Sequence, residues 1–544
     1  ADHAFLTVEQ RLPPSADRRL NVNHRCAARA SVGGRWVVQE HRFTTADAGQ
    51  WGSPIRLRFR GRLALPALAM ITETGIPTAA TAARTVVEAD GAALRLDAPE
   101  LPATAAIDVD GAQGAVWQLE GDGAELLLLW PAGQSTLRFH VSCALWPAGS
   151  AEREADVARR AKPPDHRRVA MRVTSPAIEP ASLVVPPPLR GHLQRFRRRA
   201  LRYVTGCTAL SVSPRRVAIL TDHRILPLSW TRDAYYQALL LLGDGRADLV
   251  ADHLRWLWLS CDRPRAAWAR SHHADGRRKD EVYQADQQLY PVLELADHWR
   301  ATGRLPELPE AGRDGPTWKS LVSGLLDALV GSFSPAGLLA TDENAADDPA
   351  IHPYLLSTQI LAWHAFSRLA EMSGLLGIAH PLGEMAERSR RCVNQLFRAD
   401  RPTGAVWAYA VDARGGMLLH HDANDLPTAF APLWGFCAPD DPLWRRTMDF
   451  AFSPANDAYV VGPWGGLGSR HTAGTWSLGL IQEWVARSVA GDAMAAADAL
   501  RRLVEVSLSD GTLPEASDPK TGHLLARPWF AWPGALAGWL SAGG

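Results

Sequence analysis

Two patterns of apolar and polar positions divide this chain. Up to about residue 180 the runs are short, alternating or wholly apolar, and broken by Gly, Pro and Asp: Thr85-Val86-Val87-Glu88 precedes Asp90-Gly91, and Leu94-Arg95-Leu96-Asp97 follows. These are strand and turn signals. The run Glu125-Leu126-Leu127-Leu128-Leu129-Trp130, the turn Pro131-Ala132-Gly133 and the run Thr136-Leu137-Arg138-Phe139-His140-Val141 predict a hairpin buried on one face. A β-sandwich is the natural packing for so many short strands. Pro186-Pro187-Pro188 reads as a stiff extended linker, and a helical period starts directly after it. Leu189, Leu193, Phe196, Ala200 and Tyr203 recur at spacings that place them on one helix face. Similar faces return at Ile360, Trp363, Phe366 and Leu369, then at Ile481, Trp484 and Val485. The stretch from Arg190 to Gly544 has room for about twelve helices of ordinary length with long loops between them. The expectation is an α+β two-domain chain: a β-sandwich over residues 1–185, then an (α/α)6 barrel over residues 186–544 whose loops at one end build a pocket.

Composition narrows the function classes. A chain of 544 residues exceeds one ordinary core. Its 58 basic and 58 acidic residues cancel, so it has no long-range field to draw nucleic acid or an anionic membrane surface. Lys162, Lys279, Lys319 and Lys520 are the only lysines; the rest of the basic set is arginine. Cys26, Cys143, Cys207, Cys261, Cys392 and Cys437 are scattered without a C-x-x-C pair, so free thiols are expected. Runs long enough to span a membrane are absent from the sequence, and Ala1-Asp2-His3-Ala4-Phe5-Leu6 lacks a basic region before an apolar one. A soluble cytoplasmic protein is the expectation. The 21 tryptophans suit stacking on sugar rings, although filling a large helical core accounts for most of them.

Three polar segments could carry chemistry. Trp230-Thr231-Arg232-Asp233 precedes the apolar run Ala234–Leu242, so it opens a helix. There an Arg and an Asp can hold vicinal hydroxyls, with Trp230 as a stacking wall; an ordinary capping Asp in a surface ion pair is the plain alternative. Thr341-Asp342-Glu343-Asn344-Ala345-Ala346-Asp347-Asp348-Pro349 runs into a helix expected near Leu355. So many acids in one loop repel if all are charged, which would let one keep its proton as a general acid. A solvated loop or a calcium site is the alternative. Glu515, in Leu513-Pro514-Glu515-Ala516-Ser517, lies ahead of the aromatic run Arg527-Pro528-Trp529-Phe530-Ala531-Trp532. Further polar loops hold Arg270, Gln284 and Asp286 as candidates for hydroxyl recognition. His421-Asp422-Ala423-Asn424-Asp425-Leu426-Pro427 and Gly468-Ser469-Arg470-His471-Thr472 with Trp476 complete the set. Phosphate-binding glycine loops, H-E-x-x-H and nucleophile elbows are missing. The adjacent pairs His272-His273 and His420-His421 make poor metal ligands, so neither a catalytic metal nor a cofactor is expected.

These segments, in their order and spacing, closely resemble glycoside hydrolase family 125, whose known members are inverting exo-α-mannosidases. The resemblance implies that one of the adjacent acids Asp347 and Asp348 protonates the leaving oxygen, with Asp347 preferred and Asp348 next, and that Glu515 is the general base. The family's pattern of two acids, a short spacer and aromatic and aliphatic residues falls on Asp347-Asp348 and Tyr354-Leu355-Leu356. W-x-R-D motifs like Trp230–Asp233 line the terminal-sugar subsite in this family and in glucoamylases. His421 stands where the family's D-D-A-N-x-P segment has its first Asp, which bears on sugar preference, while Asp422 and Asn424 match. His471 falls in the family's G-S-x-H-T loop, and Trp529 and Trp532 in its aromatic run. A β domain ahead of the barrel looks instead like bacterial glucoamylases and debranching enzymes. The leading expectation is therefore exo-acting hydrolysis of a terminal α-glycoside with inversion, on an oligosaccharide or small glycoside, with an α-1,6-mannoside as one candidate. An α-glucosidase, a phosphorylase and an inert glycan-binding protein are the alternatives. The loops of the β domain are a candidate subunit interface for a homo-oligomer.

Overall fold

The computed structural model describes residues 4–11, 22–30, 36–45, 54–62, 86–91, 93–98, 103–120, 123–147, 183–210, 215–222, 225–308 and 315–543. The chain divides into two compact units, residues 1–171 and 172–544. The approach to the expected domain boundary, residues 148–182, lies outside the described residues.

The first unit is built from strands β1 (Ala4–Arg11), β2 (Val22–Ala30), β3 (Trp36–Thr45), β4 (Ile55–Arg62), β5 (Val86–Asp90), β6 (Ala93–Ala98), β7 (Ala103–Asp110), β8 (Val116–Glu120), β9 (Gly123–Trp130) and β10 (Thr136–Pro147). Seven of them form an antiparallel sheet in the order β1-β2-β3-β10-β7-β6-β5, and three form a second in the order β4-β9-β8. Beside Gly91, which takes φ +57°, β5 and β6 pair as neighbours. The hairpin expected at 125–141 does not form, because β9 and β10 belong to different sheets. Both strands read as half-buried, and each buries its alternate residues. Leu126, Leu128 and Trp130 from β9 meet Leu137 and Phe139 from β10, Phe43 from β3 and Val109 from β7 in one core. The turn at 131–135 carries the chain from one sheet to the other instead of pairing the strands.

The second unit contains twelve α-helices among the described residues: α1 (Arg190–Gly206), α2 (Thr231–Gly243), α3 (Ala247–Leu259), α4 (Ala285–Thr302), α5 (Trp318–Gly331), α6 (Leu356–Leu376), α7 (Leu382–Leu396), α8 (Leu426–Trp434), α9 (Pro442–Ala451), α10 (Ser477–Val489), α11 (Ala493–Val506) and α12 (Ala531–Leu540). The even-numbered helices form a closed inner ring, each packed on the next, with α12 returning to α2. Inner and outer helices differ as their sequences require. Each residue of α2 from Thr231 to Leu242 is buried. On α7 only one stripe, Leu382, Ala386, Ser389, Cys392 and Val393, turns inward. Trp532 of α12 stacks on Tyr236 of α2 with ring centroids 5.9 Å apart, closing the ring with an aromatic pair. This is the (α/α)6 barrel. No described helix is long and apolar enough to cross a membrane.

Candidate active site

The starts of the inner helices meet at one end of the barrel. Arg232 of α2 donates to Asp286 of α4 at 2.7 Å. Ser357 of α6 donates to Asp425, the residue ahead of α8, at 2.6 Å. Gln482 of α10 reaches the carbonyls of Asp422 and Ala423, and the Ser477 hydroxyl donates to the Pro514 carbonyl. The amide of Ala531 on α12 donates to the Thr221 carbonyl, close to α2. None of the six inner helices carries a side-chain N-cap hydrogen bond, whereas the outer α5, α9 and α11 are capped by Thr317, Asp441 and Asp492. The positive ends of the inner helices thus face the loop carboxylates gathered there.

The acid-rich loop ahead of α6 is held by hydrogen-bond donors, two of them guanidinium groups. Asp347 Oδ2 accepts from Trp230 Nε1 at 3.0 Å, and its Oδ1 accepts from Gln284 Nε2 at 2.6 Å and Arg232 Nη2 at 3.2 Å. Glu343 accepts from Arg270 Nη1 at 3.0 and 3.2 Å and from Gln284 Nε2 at 3.0 Å. Asp348 Oδ1 lies 3.2 Å from His471 Nδ1. The repulsion expected from the sequence is therefore relieved pair by pair. Backbone geometry is set by Asn344, whose Oδ1 accepts from the amides of Ala346 and Asp348. Asp347 takes φ +65°, a left-handed conformation uncommon outside glycine. Its side chain is 14% exposed against 35% for Asp348.

Glu515 approaches from the loop between α11 and α12. Its amide donates to the Arg527 carbonyl at 3.0 Å, and its Oε2 accepts from Arg527 Nη1 at 3.2 Å. His471 pairs with the loop ahead of α6: its hydrogen bond to Asp348 holds the imidazole above its ordinary pKa, and the charges of Asp348, Glu515 and Asp347 act in the same direction. Thr221 Oγ1 donates to Asp233. Burial pushes the Asp233 carboxyl up to about 6, against the opposing pull of Arg232 and this hydrogen bond.

A third cluster borders the first two. Asp422 Oδ1 accepts from the Asn424 amide and side chain, both at 2.9 Å. His420 lies between Asp422, 3.8 Å away, and Asp457, 2.6 Å away. Burial would raise Asp422, but His420 holds it below its ordinary range. Asp425 is pushed up to about 7 by burial and then by the charge of Asp422.

The segments singled out in sequence thus come together, though not always in the expected posture. Trp230 is 4% exposed, and its indole N–H holds Asp347. Trp532 is 1% exposed and lies under Arg232, 5.4 Å from the guanidinium carbon. Trp476 caps α10 and donates to the Thr472 carbonyl. Trp529 is half-buried, with its carbonyl accepting from Tyr203. His421 turns inward: Nε2 pairs with Gln482 Oε1 at 2.9 Å, and burial pushes it down to about 4, so it is a neutral core histidine. Glu343, Arg527, Asp222 and Asp425 belong to the network without having been among the candidates; Glu343, Asp425 and Arg527 stood inside segments singled out in sequence, but their roles follow only from the fold. Among the described residues no group of three or more His, Cys, Asp or Glu is gathered as metal ligands are.

Comparison with known proteins agrees on the class. The fold matches a bacterial glucoamylase crystallised with acarbose at TM-score 0.59 and 12% identity, over 99% of this chain and 85% of that one. It matches a Streptococcus pneumoniae metal-independent alpha mannosidase, in a non-productive complex with alpha-1,6-mannobiose, at TM-score 0.56 and 18% identity, over 64% of this chain and 93% of that one. Residues 327–540 match the family model described as metal-independent alpha-mannosidase (GH125). In sequence, the Meiotically up-regulated gene 157 protein of Schizosaccharomyces pombe is 27% identical over 209 residues, 37% of this chain. The chain spans 40% of the length of that curated relative. The barrel and the family match together support an (α/α)6 glycoside hydrolase. Within that class the likeness is to family GH125.

Proposed function

We propose that this chain is an exo-acting hydrolase of terminal α-glycosides that inverts the anomeric centre, with a terminal α-1,6-mannoside as its leading substrate. The observation that carries the reading is the gathering of two anchored carboxylates from loops at this end of the barrel, Asp348 lying 3.2 Å from His471 Nδ1 and Glu515 accepting from Arg527 Nη1 at 3.2 Å. Glu515 takes a proton from water as the water oxygen bonds to the anomeric carbon, while a carboxylic acid protonates the departing oxygen. Asp347 accepts from three donors, one of them a guanidinium, so it is better suited to holding Arg232 and the sugar than to giving up a proton. That leaves Asp348, more exposed and shared with His471, as the acid. Arg232, Asp233, Gln284 and Asp286 surround the terminal sugar, and Asp422 and Asn424 the neighbouring position.

The family match supports mannose. The fold match across 99% of the chain to a glucoamylase supports an α-glucosidase as the second reading, with the N-terminal sheets as a β-sandwich. The test follows the anomeric proton by NMR during hydrolysis of aryl α-mannoside, aryl α-glucoside and α-1,6-linked disaccharides, for the wild type and Glu515→Gln. First release of the β-anomer, abolished in the variant, is expected, and the sugar turned over chooses between the readings. Retention of configuration would overturn the two-acid assignment.

A further inference from the structure

We propose that Arg527, fixed by Asp222, is the positioning residue of the general base, an inference that rests on Glu515 being that base. Arg527 grips Glu515 twice, through its own carbonyl at 3.0 Å and through Nη1 to Oε2 at 3.2 Å. Its Nε donates to Asp222 Oδ2 at 2.9 Å, so the guanidinium cannot swing away without breaking both contacts. Asp222 is itself fixed, with Oδ1 accepting from the amides of Ile225 at 2.6 Å and Leu226 at 3.0 Å. The guanidinium carbon also lies over the Phe530 ring, 4.2 Å from its centroid, which adds a cation–π contact to these hydrogen bonds. Arg527 also takes φ +46°, a left-handed conformation that a residue with a Cβ keeps only where its surroundings enforce it. The arrangement occupies Oε2 and leaves Oε1 to receive the proton from water. Because a guanidinium cannot lose its charge in a protein, it can go on donating to Oε2 both before and after Oε1 takes the proton.

The test compares Arg527→Ala, Arg527→Gln, Asp222→Asn and Arg527→Ala/Asp222→Asn with Glu515→Gln in the full chain, on whichever substrate the wild type turns over. Misplacing a reacting group by about 1 Å costs on the order of 10²-fold, so Arg527→Ala is expected to lose about that factor in kcat. A residue that acts on the chemical step alone leaves KM within about twofold. Added guanidinium is expected to restore about tenfold or more in Arg527→Ala and nothing in Glu515→Gln. Asp222→Asn should lower kcat in the same way, and the double variant should be no worse than Arg527→Ala, because the two act as one unit. Wild-type kcat in Arg527→Ala, or a loss confined to KM without guanidinium rescue, would overturn the proposal. Should Arg527→Ala not fold by thermal unfolding, Arg527→Gln replaces it, and wild-type kcat there is equally fatal. Wild-type turnover in Glu515→Gln would instead overturn the base assignment itself, so the two failures are told apart.

Discussion

Replacing Asp348 and Asp347 separately by Asn distinguishes delivering a proton from holding a sugar. Asp348→Asn keeps the shape and a contact with His471 but removes the carboxylic proton. If Asp348 is the acid, poor leaving groups lose about 10² to 10⁴-fold in kcat/KM, or about 3–5 kcal/mol at 1.36 kcal/mol per tenfold. A dinitrophenolate leaving group needs little proton help, so there the loss should shrink to within about tenfold. Asp347→Asn acts differently. It replaces an acceptor of three hydrogen bonds by an amide whose N–H groups must face at least one existing donor. Breaking a buried ion pair outright costs about 3–5 kcal/mol, which is an upper bound because Arg232 keeps Asp286 at 2.7 Å. The loss should therefore appear in KM and in stability, and be the same for every leaving group. The assay is the slope of log(kcat/KM) against leaving-group acidity across a series of aryl α-glycosides. A flat slope in Asp348→Asn would refute the assignment, and a steep one in Asp347→Asn would give the acid role to Asp347.

Two further outcomes follow from buried titrating groups. Burial, and then the charge of Asp422, push the Asp425 carboxyl from the ordinary carboxylate range up to about 7, so between those values the folded chain binds a proton that the unfolded chain has released. Its contribution to stability is complete below the unfolded value and is lost as pH rises through the folded one, with a slope of at most about 1.4 kcal/mol per pH unit. Calorimetry of Asp425→Asn between about pH 5 and about pH 8 should show a flatter fall in Tm than the wild type; an unchanged fall would contradict the burial argument. His421→Asp, which installs the residue expected from the family pattern, would set a carboxylate against Gln482 Oε1 in a site where the imidazole is 2% exposed. The expected result is destabilisation by about 2–4 kcal/mol with little change in the ratio of rates on mannoside and glucoside. A variant as stable as the wild type that changes that ratio about tenfold, or about 1.4 kcal/mol, would show that His421 acts on the sugar directly.

The barrel was legible because helical periodicity survives in any helix with one buried face, and Leu193, Phe196 and Ala200 duly face inward on α1. The helix starts were legible too: Trp230-Thr231-Arg232-Asp233 opens α2, and Leu355 immediately precedes α6. Strand pairing was not, since the pattern of β9 and β10 states which faces are buried but not which sheet buries them. Tryptophan roles were also opaque. An indole that stacks on sugar and one that holds Asp347 have the same letter in the same place, and only the burial of Trp230 separates them. Arg527 and Asp222 lie far apart in the chain, and a left-handed arginine leaves no trace in the sequence.

An inverting hydrolase needs its two carboxyls held roughly 6.5–9.5 Å apart so that water fits at the anomeric carbon, yet both carboxylates proposed for that pair come from loops, the least constrained parts of a fold. The acid loop is tied through Asp347 to Trp230 and Arg232. The base loop is tied through Arg527 to Asp222. Both anchors lie near the start of α2, where Thr221 Oγ1 donates to Asp233 and the Ala531 amide of α12 donates to the Thr221 carbonyl. The separation of the proposed acid and base would then be set by Asp222, Trp230 and Arg232 near the start of α2 and not by either loop, so substitutions there that touch neither carboxylate should change kcat more than substitutions at the loop tips.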